Sequence, residues 1–199
     1  MTATTRQAEL RRESKETRIE LELQVDGDGK SEIDVGIPFF EHLLDSWARH
    51  GGFGLRLRCE GDLEVDDHHS VEDVAIVLGR AFEVALGEKR GVRRFGAAYA
   101  PLDEALVRCV VDLSGRPFAR VELPLRQERI GTMSTQNVAH FFRSFAMEAR
   151  LTLHLDVLHG ENDHHMAEAA IKAMALALRE AVSRRAGDEE LPSTKGILR

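Results

Sequence analysis

Two short runs of the chain set imidazoles beside a carboxylate at one spacing: His68-His69-Ser70-Val71-Glu72 and His164-His165-Met166-Ala167-Glu168. Acidic or amide residues precede each pair (Asp66-Asp67 and Asn162-Asp163), and an apolar stretch rich in Ala, Leu and Val follows. Imidazole nitrogen and carboxylate oxygen are donors for borderline divalent ions, so a duplicated HHxxE predicts a site for two metal ions. On a helix, residues four apart share a face while neighbours are rotated by about 100°. His68 can therefore close on an ion with Glu72, and His164 with Glu168, while His69 and His165 must point elsewhere. Two further histidines recur at nearly the same offset: His42 in Phe39-Phe40-Glu41-His42 and His140 in Val138-Ala139-His140-Phe141-Phe142. Six histidines and two glutamates supply four protein donors per ion. A six-coordinate ion then keeps open positions, which marks catalysis or substrate binding rather than a closed structural site. With no thiolate among the donors, the ion is Mn, Fe, Co, Ni or Zn. The order differs from the HExxH of zinc proteases, where the glutamate is the base. The remaining histidines, including His50, His154 and His159, read as surface or hydrogen-bonded core residues.

The elements that must position these groups are also written twice. Arg18 to Val25 alternates apolar and polar as a half-buried strand does, and Asp26-Gly27-Asp28-Gly29 predicts a hairpin turn into a strand over Ser31 to Val35. Pro38 opens a helix that Gly51-Gly52 ends, Phe53 to Cys59 is a strand, and Val71 to Leu86 is helical until Gly87. In the second half, Ala105 to Asp112 and Pro117 to Leu123 are strands, and Thr135 to Glu148 is a helix capped by Ser134 or Thr135. Leu151 to Leu158 is a strand, and Asp163 to Arg185 a long alanine-rich helix. Each half thus reads as strand, strand, helix, strand, helix, with helices packed on one face of each sheet and the halves together. The chain is one domain of two internal repeats, about 11–92 and 93–186, and a tail, 187–199, that lacks periodicity and is expected to be mobile unless a ligand or partner orders it.

Composition sets outer bounds. Hydrophobic residues make up 43% and charged residues 31% of 199, enough to bury a real core. A net charge of −7 argues against a nucleic-acid surface. No apolar run approaches the roughly 20 residues that cross a bilayer. Residues 1–18 are polar and lack the apolar middle of a secretory signal. Cys59 and Cys109 are solitary, fitting buried thiols in a reducing cytoplasmic compartment. Neither GxxxxGK[ST] nor a strand-linked GxGxxG is present, which excludes the common nucleotide cradles. Arg94, Arg116 and Lys195 lie beside glycine or serine, a setting that suits a phosphate, although each alone reads as a solvated charge. Lys15-Glu16-Thr17, at the edge of the first strand, could project a carboxylate.

Taken together the motifs resemble the imidazoleglycerol-phosphate dehydratase family. The matching stretches are 12–17, Phe39 to Leu44, Gly61-Asp62, Asp67 to Asp73, Arg94-Phe95-Gly96, Asp112 to Pro117, Asn162 to His165 with Glu168-Ala169, and Pro192 to Gly196, spanning about 11–198. The resemblance implies an α+β fold: a tandem repeat of two similar halves, each a four-stranded sheet with two helices on one face, as in the second domain of ribosomal protein S5. It implies a large homo-oligomer of about twenty-four copies with active sites between subunits. It also implies two manganese ions, one on His42, His69, His164 and Glu168, the other on His68, Glu72, His140 and His165, some ligands coming from neighbouring subunits. Phosphate contacts fall on Arg94, Arg116, Ser193 and Lys195, and Glu16 matches a substrate-contacting glutamate. Glu41 stands where the family usually has aspartate, which predicts altered support of His42, and Ile171 replaces a usual phenylalanine.

The implied reaction removes water from D-erythro-imidazole-glycerol phosphate to give imidazole-acetol phosphate, a step of histidine biosynthesis. The proton lost sits on a carbon with no adjacent carbonyl, so an imidazolate gripped by two metal ions would serve as the electron reservoir. Glu16 or Glu168 would move protons. A dinuclear metallohydrolase or a metal-storage protein could use the same ligands, but both leave the basic residues unexplained.

Overall fold

The computed structural model describes residues 6–185 and 190–198. Its first half runs β1 (Gln7–Glu13), β2 (Thr17–Gln24), β3 (Ser31–Asp34), α1 (Pro38–Gly51), β4 (Gly54–Gly61) and α2 (His68–Leu86). The second runs β5 (Phe95–Leu102), β6 (Ala105–Asp112), β7 (Phe118–Glu122), the short pair β8 (Arg129–Ile130) and β9 (Met133–Ser134), α3 (Thr135–Glu148), β10 (Thr152–His159) and α4 (Asp163–Val182). The two sheets have equivalent orders, β1-β2-β4-β3 and β5-β6-β10-β7. This is the α+β tandem of similar halves that the sequence implies.

The expected hairpin into β3 does not form. β4 lies between β2 and β3, antiparallel to the first and parallel to the second, and β10 lies likewise between β6 and β7. The turn at Asp26 to Gly29 therefore leads across the sheet, and α1 and α3 serve as crossovers between parallel neighbours. Pattern reading also missed β1 and β5. β1 is an edge strand with five of its seven residues exposed, and β5 is built largely of small residues, so neither shows sustained alternation.

Each sheet buries one face. Ile19, Leu21 and Leu23 of β2 point inward and are essentially inaccessible, while Arg18, Glu20 and Glu22 face out. The helices fill the space between the sheets: α1 meets β3, α2 meets β1 and β2, α3 meets β7, and α4 meets β5 and β6. Within this layer, helices of opposite halves pair, α1 with α4 and α2 with α3. Trp47, Phe53, Phe82 and Phe145 join the halves, with Trp47 and Phe53 centroids 4.5 Å apart and Phe82 and Phe145 5.7 Å apart. Two glycines permit close approaches to the backbone of neighbouring helices. A Cβ on Gly96 would lie 1.9 Å from the Ala177 carbonyl oxygen of α4, and one on Gly79 2.6 Å from the Phe145 carbonyl oxygen of α3.

Helix ends mostly follow the sequence signals. Pro38 is in the first turn of α1, and Gly52, with φ 71°, closes it. α2 starts at His68, so the histidine pair is helical, and α4 stops at Val182 because Arg184 bridges to Val92. Ser134 occupies the cap position of α3, but its hydroxyl goes to Asp67 instead of capping. Of the tail, Glu190 accepts from the Gly91 amide and Pro192 from Arg94. The expected repeat end at 186, tail residues 187–189 and Arg199 lie outside the described residues. Among the described residues no helix is long and apolar enough to cross a membrane.

Candidate metal centre

The residues that precede each histidine pair hold the start of a helix in place. Asp66 Oδ1 accepts from the His68 amide at 2.7 Å, and Asn162 Oδ1 accepts from the His164 amide at 2.9 Å. The next residue in each copy is a buried anchor. Asp67 accepts from the Ser134 amide (2.6 Å) and hydroxyl (2.7 Å), tying the start of α2 to that of α3. Asp163 accepts from the amides of Arg126 (2.8 Å) and Gln127 (2.6 Å).

Two clusters result, each built across the halves. His42 of α1 meets His164 and Glu168 of α4, and His68 and Glu72 of α2 meet His140 of α3, with the donor atoms of each set within 4.8 Å of one another. Glu168 Oε1 lies 2.8 Å from His164 Nε2 and 3.1 Å from His42 Nε2. Glu72 Oε1 lies 2.8 Å from His140 Nε2, and its Oε2 is 3.8 Å from His68 Nε2. His68 stacks on His140 at 4.9 Å and engages Asn137 Oδ1 through Nδ1 at 3.1 Å. Two imidazole nitrogens and one carboxylate oxygen, partly open to solvent, fit a borderline divalent ion that keeps positions free.

Glu168 is tightly held. Burial works to raise its pKa, but the Lys172 ammonium, His42 and His164 together pull it to about 2. Lys172 Nζ lies 2.6 Å from Glu168 Oε2. Sequence reasoning passed over this lysine, although its place four residues after Glu168 is a helical ion-pair signal.

His69 and His165 join neither cluster within the protomer. His69 Nδ1 contacts the Asp62 carboxylate at 3.0 and 3.1 Å, with Glu16 Oε1 3.8 Å from its Nε2. His165 Nδ1 contacts Glu104 Oε2 at 2.8 Å, and Asp103 lies 4.0 Å from its Nε2. Hydrogen bonding to Asp62 and Glu104 respectively raises the pKa of both imidazoles. The reciprocal bond from His165, with the Asn162 amide, draws Glu104 down to about 2.

The basic residues lie elsewhere. Arg94, with φ 74°, donates to both Asp112 oxygens (2.7 and 3.0 Å) and to the Pro192 carbonyl (2.8 Å), which brings the Ser193 and Lys195 segment alongside. Arg116 follows Ser114, whose Oγ accepts its amide at 3.0 Å. The Arg94 amide bonds to Ala181 near the end of α4. At about 1.5 Å per residue, that places Arg94 about 25 Å from His164 at the helix start. One reading needs correction: Glu41 does not support His42. Its Oε1 accepts from the amides of Val35 and Gly36 at 2.7 and 2.8 Å, so the longer side chain fastens the entry to α1.

The sequence model of the imidazoleglycerol-phosphate dehydratase family matches residues 35–178. The chain belongs to that family, whose members are hydro-lyases. Among its relatives, the imidazoleglycerol-phosphate dehydratase of Thermoanaerobacter pseudethanolicus is 52% identical over 193 residues, covering 97% of this chain and 100% of the relative. That of Gluconobacter oxydans is 53% identical over 196 residues, covering 97% and 98%. The fold matches the crystal structure of the Staphylococcus aureus dehydratase with a TM-score of 0.82 at 35% identity, covering 90% of this chain and 99% of that one. It matches the Pyrococcus furiosus enzyme, solved in complex with (S)-C348, with a TM-score of 0.82 at 37% identity, covering 95% and 100%.

Proposed function

We propose that this chain dehydrates D-erythro-imidazole-glycerol phosphate to imidazole-acetol phosphate in cytoplasmic histidine biosynthesis, with two manganese ions per protomer. The observation that carries the reading is the pair of His–His–Glu clusters, each assembled from both halves, beside two histidines left facing away. One ion takes His42, His164 and Glu168 and is completed by a His69; the other takes His68, Glu72 and His140 and is completed by a His165. The placement of His69 and His165 outside both clusters, and the roughly 25 Å along α4 between Arg94 and His164, support a site shared between copies in a large homo-oligomer of about twenty-four.

The chemical task is to take a proton from a glycerol carbon and give one to the departing hydroxyl, after which the enol relaxes to the ketone. When bound, the ions supply Lewis acidity at the ring nitrogens of the substrate. Glu16 is the better proton carrier of the two candidates. Glu168 is gripped by Lys172, His42 and His164, whereas the Glu16 carboxylate is half-exposed and its backbone is fixed by the Ser14 hydroxyl and the Asp62 amide. Arg94, set by Asp112, joins Arg116, Ser193 and Lys195 in holding the phosphate, which fixes the reacting carbon relative to Glu16.

The test is to strip the protein with a chelator, titrate manganese, and follow native mass, bound metal and ketone formation together. Two ions per protomer, a large particle and metal-dependent ketone support the reading. Release of inorganic phosphate instead of ketone, or turnover by a metal-free monomer, would overturn it.

A further inference from the structure

The two outward histidines make the same contact with different partners. In each, Nδ1 is occupied by a carboxylate, Asp62 for His69 and Glu104 for His165, and Nε2 is left as the free nitrogen. An imidazole whose Nδ1–H is fixed by a carboxylate has a defined tautomer, a fixed ring plane and a more basic second nitrogen, which is how metal-binding histidines are commonly held. We propose that Asp62 and Glu104 are positioning residues that orient His69 and His165 so that Nε2 of each faces a metal. This rests on the metal reading above and extends it to two carboxylates outside the ligand set.

The two carboxylates do not correspond in the internal repeat. β2 and β6 are equivalent eight-residue strands, and the residues just before them are Glu16 and Glu104. The repeat counterpart of Glu104 is thus Glu16, yet Glu16 does not bond Nδ1 of His69; its carboxylate lies 3.8 Å from Nε2. Asp62, just after β4, makes the Nδ1 contact in its place. Ancestral symmetry alone would have put the same residue in both contacts. Retention of the contact with a changed partner points to a chemical requirement for a carboxylate on Nδ1. The substitution has a second consequence: with Asp62 holding the ring, Glu16 is free on the side of the reactive nitrogen, where proton transfer needs it.

Glu104 is itself rigidly placed. Its Oε1 accepts from the amides of Glu161 (3.2 Å) and Asn162 (2.8 Å), and Asn162 in turn caps α4 above His164 and His165. The turn between β5 and β6 is thereby locked to the start of α4, and the ring of His165 with it.

Two measurements on the full chain test this. Solid-state 15N NMR of histidine-labelled, metal-free wild type at roughly pH 9, where imidazoles are neutral, reads the tautomer. The expectation is Nδ1–H for His69 and His165; Nε2–H at either would overturn the proposal for that residue. Manganese titration by calorimetry then compares wild type with Asp62→Ala and Glu104→Ala. Each should weaken one of two binding events by about 10–100-fold, with Asp62→Asn and Glu104→Gln, which keep an acceptor oxygen, recovering most of it. The asparagine and glutamine variants decide the question should an alanine variant fail to fold, because both shorten the loss only if the oxygen on Nδ1 matters. Unchanged affinity in folded alanine variants sinks the proposal while the metal reading stands. A wild type that binds no manganese sinks the metal reading, and the tautomers still decide the positioning.

Discussion

Asp67 should be worth several kcal/mol to this protein. It is 5% exposed and accepts two hydrogen bonds from Ser134, joining the starts of the helices that bring His68, Glu72 and His140 together. Bonds to a charged group contribute roughly 1.5–3 kcal/mol each. Asp67→Asn keeps one acceptor and turns an NH2 toward a donor, so it should cost about 2 kcal/mol, and Asp67→Ala about 3–4 kcal/mol because the buried Ser134 amide is orphaned. At about 2 kcal/mol per molar urea, the asparagine variant should unfold about 1 M earlier. The comparison is made at one protomer concentration, since assembly adds to stability. The pH dependence gives an independent check. Burial opposes the charge, but the Ser134 hydroxyl and amide prevail and hold the Asp67 pKa below its ordinary value. A depressed carboxyl stabilises fully above the unfolded pKa near 3.9, and that stabilisation is lost as pH falls through the folded value. The gap between wild type and Asp67→Asn should therefore be constant from about pH 8 to 5 and begin to narrow below about pH 4. A midpoint shift under about 0.2 M, or a gap that does not narrow as pH falls below about 4, would refute the reasoning.

Two further outcomes follow from the geometry. His69→Ala and His165→Ala should each abolish turnover while leaving the metal-free fold intact by circular dichroism; wild-type activity in either after chelation and manganese reloading would rule out the two-ion scheme. Gly96→Ala places a Cβ 1.9 Å from backbone of α4, which no side-chain rotation relieves, and should cost about 3 kcal/mol in chemical denaturation; a neutral change would mean that the second sheet and α4 can separate freely.

The sequence by itself located the candidate metal donors. An imidazole and a carboxylate four residues apart must share a helical face, and two copies of that spacing in an otherwise repeated chain predict two clusters, which the structure contains. Helix boundaries set by Pro38, Gly52 and Gly87 were equally legible, because they depend on local backbone preference. Strand neighbours were not. Whether β3 pairs with β2 or lies beyond β4 depends on contacts made after α1 has crossed back, and no local pattern carries that information. β1 and β5 were illegible for another reason: β1 is an exposed edge strand and β5 is built largely of small residues, so neither carries sustained alternation. Spacing alone did not say which histidine meets which glutamate across the halves: the family resemblance implied the grouping, and the packing of α1 on α4 is what brings His42 to Glu168. Only tertiary structure decided that Glu41 fastens a loop, that Lys172 grips Glu168, and that Asp62 and Glu104 hold the outward rings, because a carboxylate has no sequence mark for the hydrogen bond it will accept.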